Sequence, residues 1–426
     1  MNDHARFAHP RSRLARGLTR RGAAARLAAI FIVACVAPGI VPPSAYAATI
    51  VPPRMSVPVS TLTTMDGVRM WSHSPESHRR VASCIKMLTA LVVREHTKLD
   101  DVVVVPRQAA AITDGGVGLY KGQRLTVRQL LHIMLIPSAN DAAMALAIHV
   151  GGTEAKFVAL MNAKARAIGL KHTRAADPDG LNKKETSTAD DLSALARRVM
   201  ADPVLRDIVR QRSVVVPRRN GKHSTVASTN LLLGHYTGME GTKTGYTRAS
   251  GFCFVGSAKR GGVELLGVVL GAKSNPGRFS EMRKLLDWGF AHCHVRVLIS
   301  KGTTLAVVPV ESGDATCVAV CTTRSVSMAL FDGGGPVTTR LTPPPSVTAT
   351  VTLGEQLGTA EVYEDGSMIA SAPLVAAADV PAAAVPVTVT ARPLAVPTAI
   401  LGTWQPLAAV RECWAGPASA RWLHAG

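Results

Sequence analysis

Apolar positions along the chain follow two different periods. Between residues 81 and 200 they recur every three to four positions, which predicts helices over Val81–His96, 126–136, 139–150, 154–168 and 188–200. Pro137 separates the second helix from the third, and Gly180 and Pro203 punctuate the run. Short extended pieces lie on either side of these helices. One opens the segment 60–105, and Ser213–Pro217, Gly251–Ala258 and Val263–Leu270 come after. A closing helix fits Arg278–Phe290. Helices bracketed by antiparallel strands predict an α+β domain, with helices packed on an antiparallel sheet. From Val295 the helical spacing gives way to short Val/Thr-rich runs broken by Gly and Pro, which predicts a small all-β sandwich. The expected division is therefore 1–47, 48–294, 295–380 and an Ala/Pro-rich tail, 381–426, whose structure the pattern does not specify.

The first of these segments changes how the charge is read. Residues 1–26 carry seven Arg and one Asp, residues 27–47 carry no charge, and small residues occupy 45 and 47. A basic start, an apolar stretch and a small-residue site form a secretory signal, with cleavage expected after Ala47 and export by the general secretory route. Pro38 and Gly39 break the apolar stretch, which argues against a transmembrane anchor. The expected location is the periplasm or the outer face of the cell envelope. Removal of 1–47 lowers the net charge from +19 to +13. No basic run interleaves with aromatics, so nucleic acid is not an expected partner.

Six cysteines remain after cleavage: Cys84, Cys253, Cys293, Cys317, Cys321 and Cys413. An oxidising compartment permits disulfides, but six in 379 residues is not a staple-dependent scaffold. His292-Cys293-His294 would point to alternate faces of an extended segment, so no metal site is expected there.

Three short elements carry chemistry. Ser83-Cys84-Ile85-Lys86 opens a helix, and positions i and i+3 share a face, so the Lys86 amine can reach the Ser83 hydroxyl. A serine is a poor nucleophile until a base takes its proton, and Lys86 can act as that base once burial and the helix dipole lower its pKa. Ser138-Ala139-Asn140 follows Pro137; Ser138 can relay a proton, and Asn140 can hold a carbonyl or orient Lys86. In Gly241-Thr242-Lys243-Thr244-Gly245-Tyr246-Thr247, Lys243 and Thr244 can hold a carboxylate, Gly245 permits close backbone approach, and the Tyr246 N–H can serve an oxyanion. Each element also has an ordinary reading: a Ser cap beside a surface Lys, a helix N-cap, and a strand entering a turn.

Taken together and in this order, S-x-x-K, S-x-N and K-T-G resemble the low-molecular-mass penicillin-binding proteins, the D-alanyl-D-alanine carboxypeptidases of serine peptidase family S11. Asp179-Gly180-Leu181, Ser187 to Leu192, Ser228-Thr229-Asn230, Gly267 to Ala272 and Leu285 to Phe290 extend the likeness over about 60–290. The stretch Gly354 to Asp379 extends it into the C-terminal domain. Ile85 and Cys84 depart from the family's usual residues. The resemblance implies a penicillin-binding/serine β-lactamase-like transpeptidase domain. It implies an exported, cofactor-free enzyme that removes the terminal D-Ala from peptidoglycan pentapeptide stems through a Ser83 acyl-enzyme and is inhibited by β-lactams. It also implies an Arg278 near the substrate carboxylate. The family often ends in a membrane-binding helix, which here Pro386, Pro393, Pro397 and Pro406 would interrupt. A serine β-lactamase and an idle wall-binding protein on the same scaffold are the competing readings.

Overall fold

The computed structural model describes residues 50–384. The expected signal segment, Cys413 and most of the tail lie outside them. The described residues form two compact units.

The first unit runs to Arg296 and takes in Met328–Thr338 and Glu364–Ser367. Its frame is an antiparallel sheet of β1 (Val59–Thr64), β2 (Arg69–His73), β3 (Met239–Thr247), β4 (Gly251–Arg260) and β5 (Val263–Ala272), in the order β2-β1-β5-β4-β3. Alternation along the strands sorts the two faces. Cys253, Val255, Leu266, Val268 and Leu270 face one apolar cluster, while Phe254, Leu265 and Val269 face another. The second cluster is completed by the closing helix, Asn275–Ala291, through Met282, Leu285 and Leu286.

The first face carries most of the remaining helices. These are α1 (Lys86–His96), α2 (Val127–Leu135), α3 (Asn140–Gly151), α4 (Glu154–Ala167), α5 (Ala189–Ala201) and α6 (Pro203–Val209). In α1 every residue from Lys86 to Ala90 is buried, so this helix runs through the interior rather than along the surface. Side-chain caps fix several starts: Thr126 with Gln129 forms a capping box, Thr153 and Thr188 each accept an N–H, and Asp202 accepts two. Pro203 therefore opens a helix instead of ending the run. A proline at the first position loses only an N–H that has no helical partner anyway.

The second unit begins at Val297. Its main sheet has six strands, ordered Val337–Leu341, Gln356–Glu364, Ser367–Ala376, Cys317–Cys321, Ala306–Glu311, Val347–Thr348. Its core is built from alternate residues such as Val318, Val320, Ala360, Val362, Leu374 and Ala376. The β-rich character expected after Val295 is present.

Candidate active site

Ser83 does not start an α-helix. It lies in a 3-10 turn, Ala82–Ile85, and α1 begins at Lys86. The tighter turn keeps the i, i+3 pair in register: Lys86 Nζ lies 2.8 Å from Ser83 Oγ. Ala82, just before the nucleophile, has φ +48°, in the left-handed region that a residue with a side chain rarely adopts. Two glycines make room for this turn. A Cβ on Gly245 would lie 2.6 Å from the Val81 carbonyl and 3.1 Å from the Cys84 N–H, and one on Gly180 would overlap the Ala82 carbonyl. Gly245 thus lets β3 press against the nucleophile turn.

Lys86 is fully buried. It donates to Asn140 Oδ1 at 2.6 Å and to the Asp179 carbonyl at 2.8 Å. Burial lowers its pKa to about 8, against the opposing pull of Asp179, Asp177 and Glu185. Burial dominates this shift. Asn140 Nδ2 donates to the Asp114 carbonyl, so both ends of the amide are engaged within the protein and its arrangement is that of an orienter of Lys86. Ser138 has φ +69° and does not cap α3, whose start lacks a side-chain cap. Its hydroxyl instead accepts from Lys243 Nζ at 2.7 Å. Lys243 is also buried; burial and the charge of Lys86 push its pKa well below the ordinary lysine value. The ordinary readings of the first two elements, a surface lysine beside a serine cap and a serine helix cap, do not match this arrangement; the third element is a strand entering a turn, but its lysine is buried.

Between these groups lies a cavity of about 380 Å³, lined by Ser83, Ser138, Asn140, Thr244, Tyr246 and Arg278 among others. Lys86 and Lys243 stand behind its wall. β3 is the outermost strand of the sheet, so its free edge borders the cavity. Thr244 Oγ1 pairs with Thr229 Oγ1 at 2.6 Å, and Thr229 lines the same wall. Arg278 is buried; its Nη1 donates to the carbonyls of Gly245 at 3.0 Å and Cys253 at 3.3 Å. Thr229 and the Asp179 carbonyl were not singled out as site groups from the sequence. Their only signals were the stretches Ser228-Thr229-Asn230 and Asp179-Gly180-Leu181. Cys84 sits beside the nucleophile but faces inward: its Sγ lies 3.7 Å from the Lys243 carbonyl, and burial pushes its thiol far above the usual range.

A buried lysine on a serine hydroxyl, a second serine–lysine pair opposite, and an edge strand alongside define a serine acyl-transfer enzyme of the penicillin-interacting class. Residues 66–274 match the family model described as D-alanyl-D-alanine carboxypeptidase. Residues 295–382 match the C-terminal domain of penicillin-binding protein 5. The chain is 30% identical over 376 residues to the D-alanyl-D-alanine carboxypeptidase DacC of Escherichia coli, covering 83% of this chain and 90% of that protein. It is 39% identical over 216 residues to DacB2 of Mycobacterium tuberculosis, covering 49% of this chain and 74% of that one. The solved structure of penicillin-binding protein 5 from Haemophilus influenzae superposes with a TM-score of 0.59 at 26% identity, covering 78% of this chain and 99% of that one. The chain belongs to the D-alanyl-D-alanine carboxypeptidase family, peptidase family S11, with the C-terminal domain of penicillin-binding protein 5. It is a serine-type D-Ala-D-Ala carboxypeptidase that acts on peptidoglycan; its family works outside the cytoplasm and binds β-lactams.

Proposed function

We propose that Ser83 carries the reaction and that the substrate is the pentapeptide stem. Lys86 takes the Ser83 proton as Oγ attacks the carbonyl between the two D-Ala residues. The N–H groups of Ser83 and Tyr246 receive the developing oxyanion. The C–N bond then breaks, and the departing D-Ala amine takes a proton by way of Ser138. Water hydrolyses the Ser83 ester and releases a stem one residue shorter. Asn140 holds Lys86 in place. Thr244, with the Lys243 charge behind it, receives the terminal carboxylate; Gly245 brings β3 up to the nucleophile, and Arg278 adds positive charge at its end. The observation that carries this reading is the contact between fully buried Lys86 and Ser83 at 2.8 Å. Residues 1–47, as a signal removed after Ala47, would deliver the enzyme to its substrate, and N-terminal sequencing of the exported protein tests that start. The test of the reaction is mass spectrometry after incubation with a peptide ending in D-Ala-D-Ala. Loss of one D-Ala, abolished by Ser83→Ala, is expected; an adduct of benzylpenicillin on Cys84 would sink the assignment.

The β-lactamase reading needs a carboxylate base for the hydrolytic water. Three glutamates lie between Asn140 and Lys243. Glu240 is paired with Arg206 at 2.5 Å, Glu185 is buried with its carboxyl pushed well above the ordinary range, and Glu154 is also raised. General-base help contributes roughly 10²–10⁴-fold, so the penicilloyl-enzyme is expected to last minutes or longer. Rapid multiple-turnover hydrolysis of benzylpenicillin without D-Ala release would favour the β-lactamase.

A further inference from the structure

The segment that supplies Thr229 to the nucleophile cavity also borders a second cavity. Thr229 lines the first, while its neighbours Ser228 and Asn230 line a separate space of about 150 Å³, together with Arg212, His235 and three apolar side chains. Two hydrogen bonds hold the segment between the two spaces. The Ser228 N–H donates to the Arg212 carbonyl at 2.8 Å, and the Thr229 N–H to the Ile136 carbonyl at 3.1 Å. The proposed reaction uses nothing in the second cavity.

Its unused polar groups are donors. Asn230 is 6% exposed. Its Oδ1 accepts the Leu232 N–H at 3.0 Å, which fixes the amide, and the remaining Nδ2 is buried with no partner among the described residues. A buried donor without an acceptor is costly and rare. Ser228 Oγ accepts the Asn230 N–H at 3.2 Å, which leaves its own proton to donate. Arg212 makes no ion pair among the described residues, although Arg210 nearby reaches Glu240 at 3.6 Å. Its guanidinium lies against Gly234, where an added Cβ would stand 3.0 Å from Cζ. Leu233 and His235, on either side of Gly234, both line the cavity, so the guanidinium is held at its edge. An exposed arginine means little alone; the orphaned amide of the same cavity gives it a direction. No carboxylate lines the space, and residues 208–239 contain five Arg and Lys and no Asp or Glu.

We infer that Arg212, Ser228 and Asn230 form a binding site for one small oxyanion, a carboxylate or phosphate group. The Arg212 fork offers two parallel N–H groups to its oxygens, and Ser228 Oγ and Asn230 Nδ2 donate from the other wall. At about 30 Å³ per water, the space admits such a group with a few waters. The site is separate from the Ser83 chemistry and shares only a wall with it, the segment whose Thr229 holds Thr244 Oγ1 at 2.6 Å.

The test melts the whole protein at constant ionic strength while sodium chloride is exchanged for sodium phosphate or sodium acetate. A bound anion raises the midpoint as its concentration passes Kd, whereas exclusion of phosphate from the surface raises parent and variant alike. The parent is expected to show a saturable rise. A rise with phosphate alone marks a phosphate group as the ligand, and a rise with acetate marks a carboxylate. Arg212→Gln should weaken the apparent Kd by about tenfold or more, the scale of a lost charge-assisted pair. Asn230→Asp keeps the acceptor for the Leu232 N–H but replaces the donor with an oxygen, and should abolish the response. Acylation of Arg212→Gln by benzylpenicillin should match the parent. The same response to both anions in the parent and in Arg212→Gln would overturn the site. Loss of acylation together with anion binding in Arg212→Gln would also overturn it, because Arg212 would then support the nucleophile cavity.

Discussion

Lys86 is sealed from solvent and must still lose a proton to act, and this sets the pH behaviour of the enzyme. Its pKa of about 8 means that acylation by benzylpenicillin should rise through that pH and fall about tenfold per unit below it. Lys86→Ala should lower acylation by roughly 10³-fold or more and erase this limb; a variant that keeps the limb would assign the titration elsewhere. A second buried group makes a different prediction. Glu185 is 2% exposed and neither carboxyl oxygen has a hydrogen-bond partner among the described residues. Burial, then the neighbouring Asp177, hold its carboxyl well above the ordinary 4.5. Its folded pKa is raised, so the stability it contributes is complete below about pH 4.5 and is lost as pH climbs toward the folded value. Glu185→Gln removes that loss. The melting temperature of the variant relative to the parent should therefore grow between pH 4 and pH 8; a constant difference would show that Glu185 does not titrate in this way.

At the scale of elements, the site depends on how closely β3 approaches the nucleophile turn. Gly245→Ala places a Cβ against the Val81 carbonyl and the Cys84 N–H, so either the strand or the turn must retreat. A misplacement near 1 Å costs on the order of 10²-fold in rate, and acylation should fall by that order while the sheet still forms. Near-parental acylation would mean that the turn tolerates the methyl group. This contact also marks where the sequence stopped being readable. Ser83 and Lys86 were legible because three residues along a helix or a 3-10 turn bring two side chains together, and the strands were legible from alternation. Thr229 and the Asp179 carbonyl were not, because loops with no period carry them to the site. Gly245 was legible only in part: the sequence suggested close backbone approach, but not that the approaching backbone includes that of Val81 and Cys84. Pro203 looked like a stop, since nothing local separates a proline that ends a helix from one that Asp202 caps into a new one.

For the molecule as a whole, the reaction belongs to no single part. The nucleophile comes from the 3-10 turn that leads into the central helix, Ser138 and Asn140 from the junction of two others, and the carboxylate end from the edge of the sheet. Joining them places Lys86 and Lys243 in the interior, each with its pKa lowered by burial. A base with a depressed folded pKa destabilises the fold at neutral pH, and for Lys86 the cost is on the order of 3 kcal/mol. Lys243 has partners at the cavity wall that water can serve in its absence. Lys243→Met should therefore melt a few degrees higher than the parent while losing turnover of D-Ala-terminated peptides; a lower melting temperature would show that the lysine supports the fold. The durable version of this protein is thus the inert one. Wherever abundance is rewarded and turnover is not, drift at Lys243 runs toward a longer-lived chain that no longer trims anything, and only the need for the reaction holds the lysine in place.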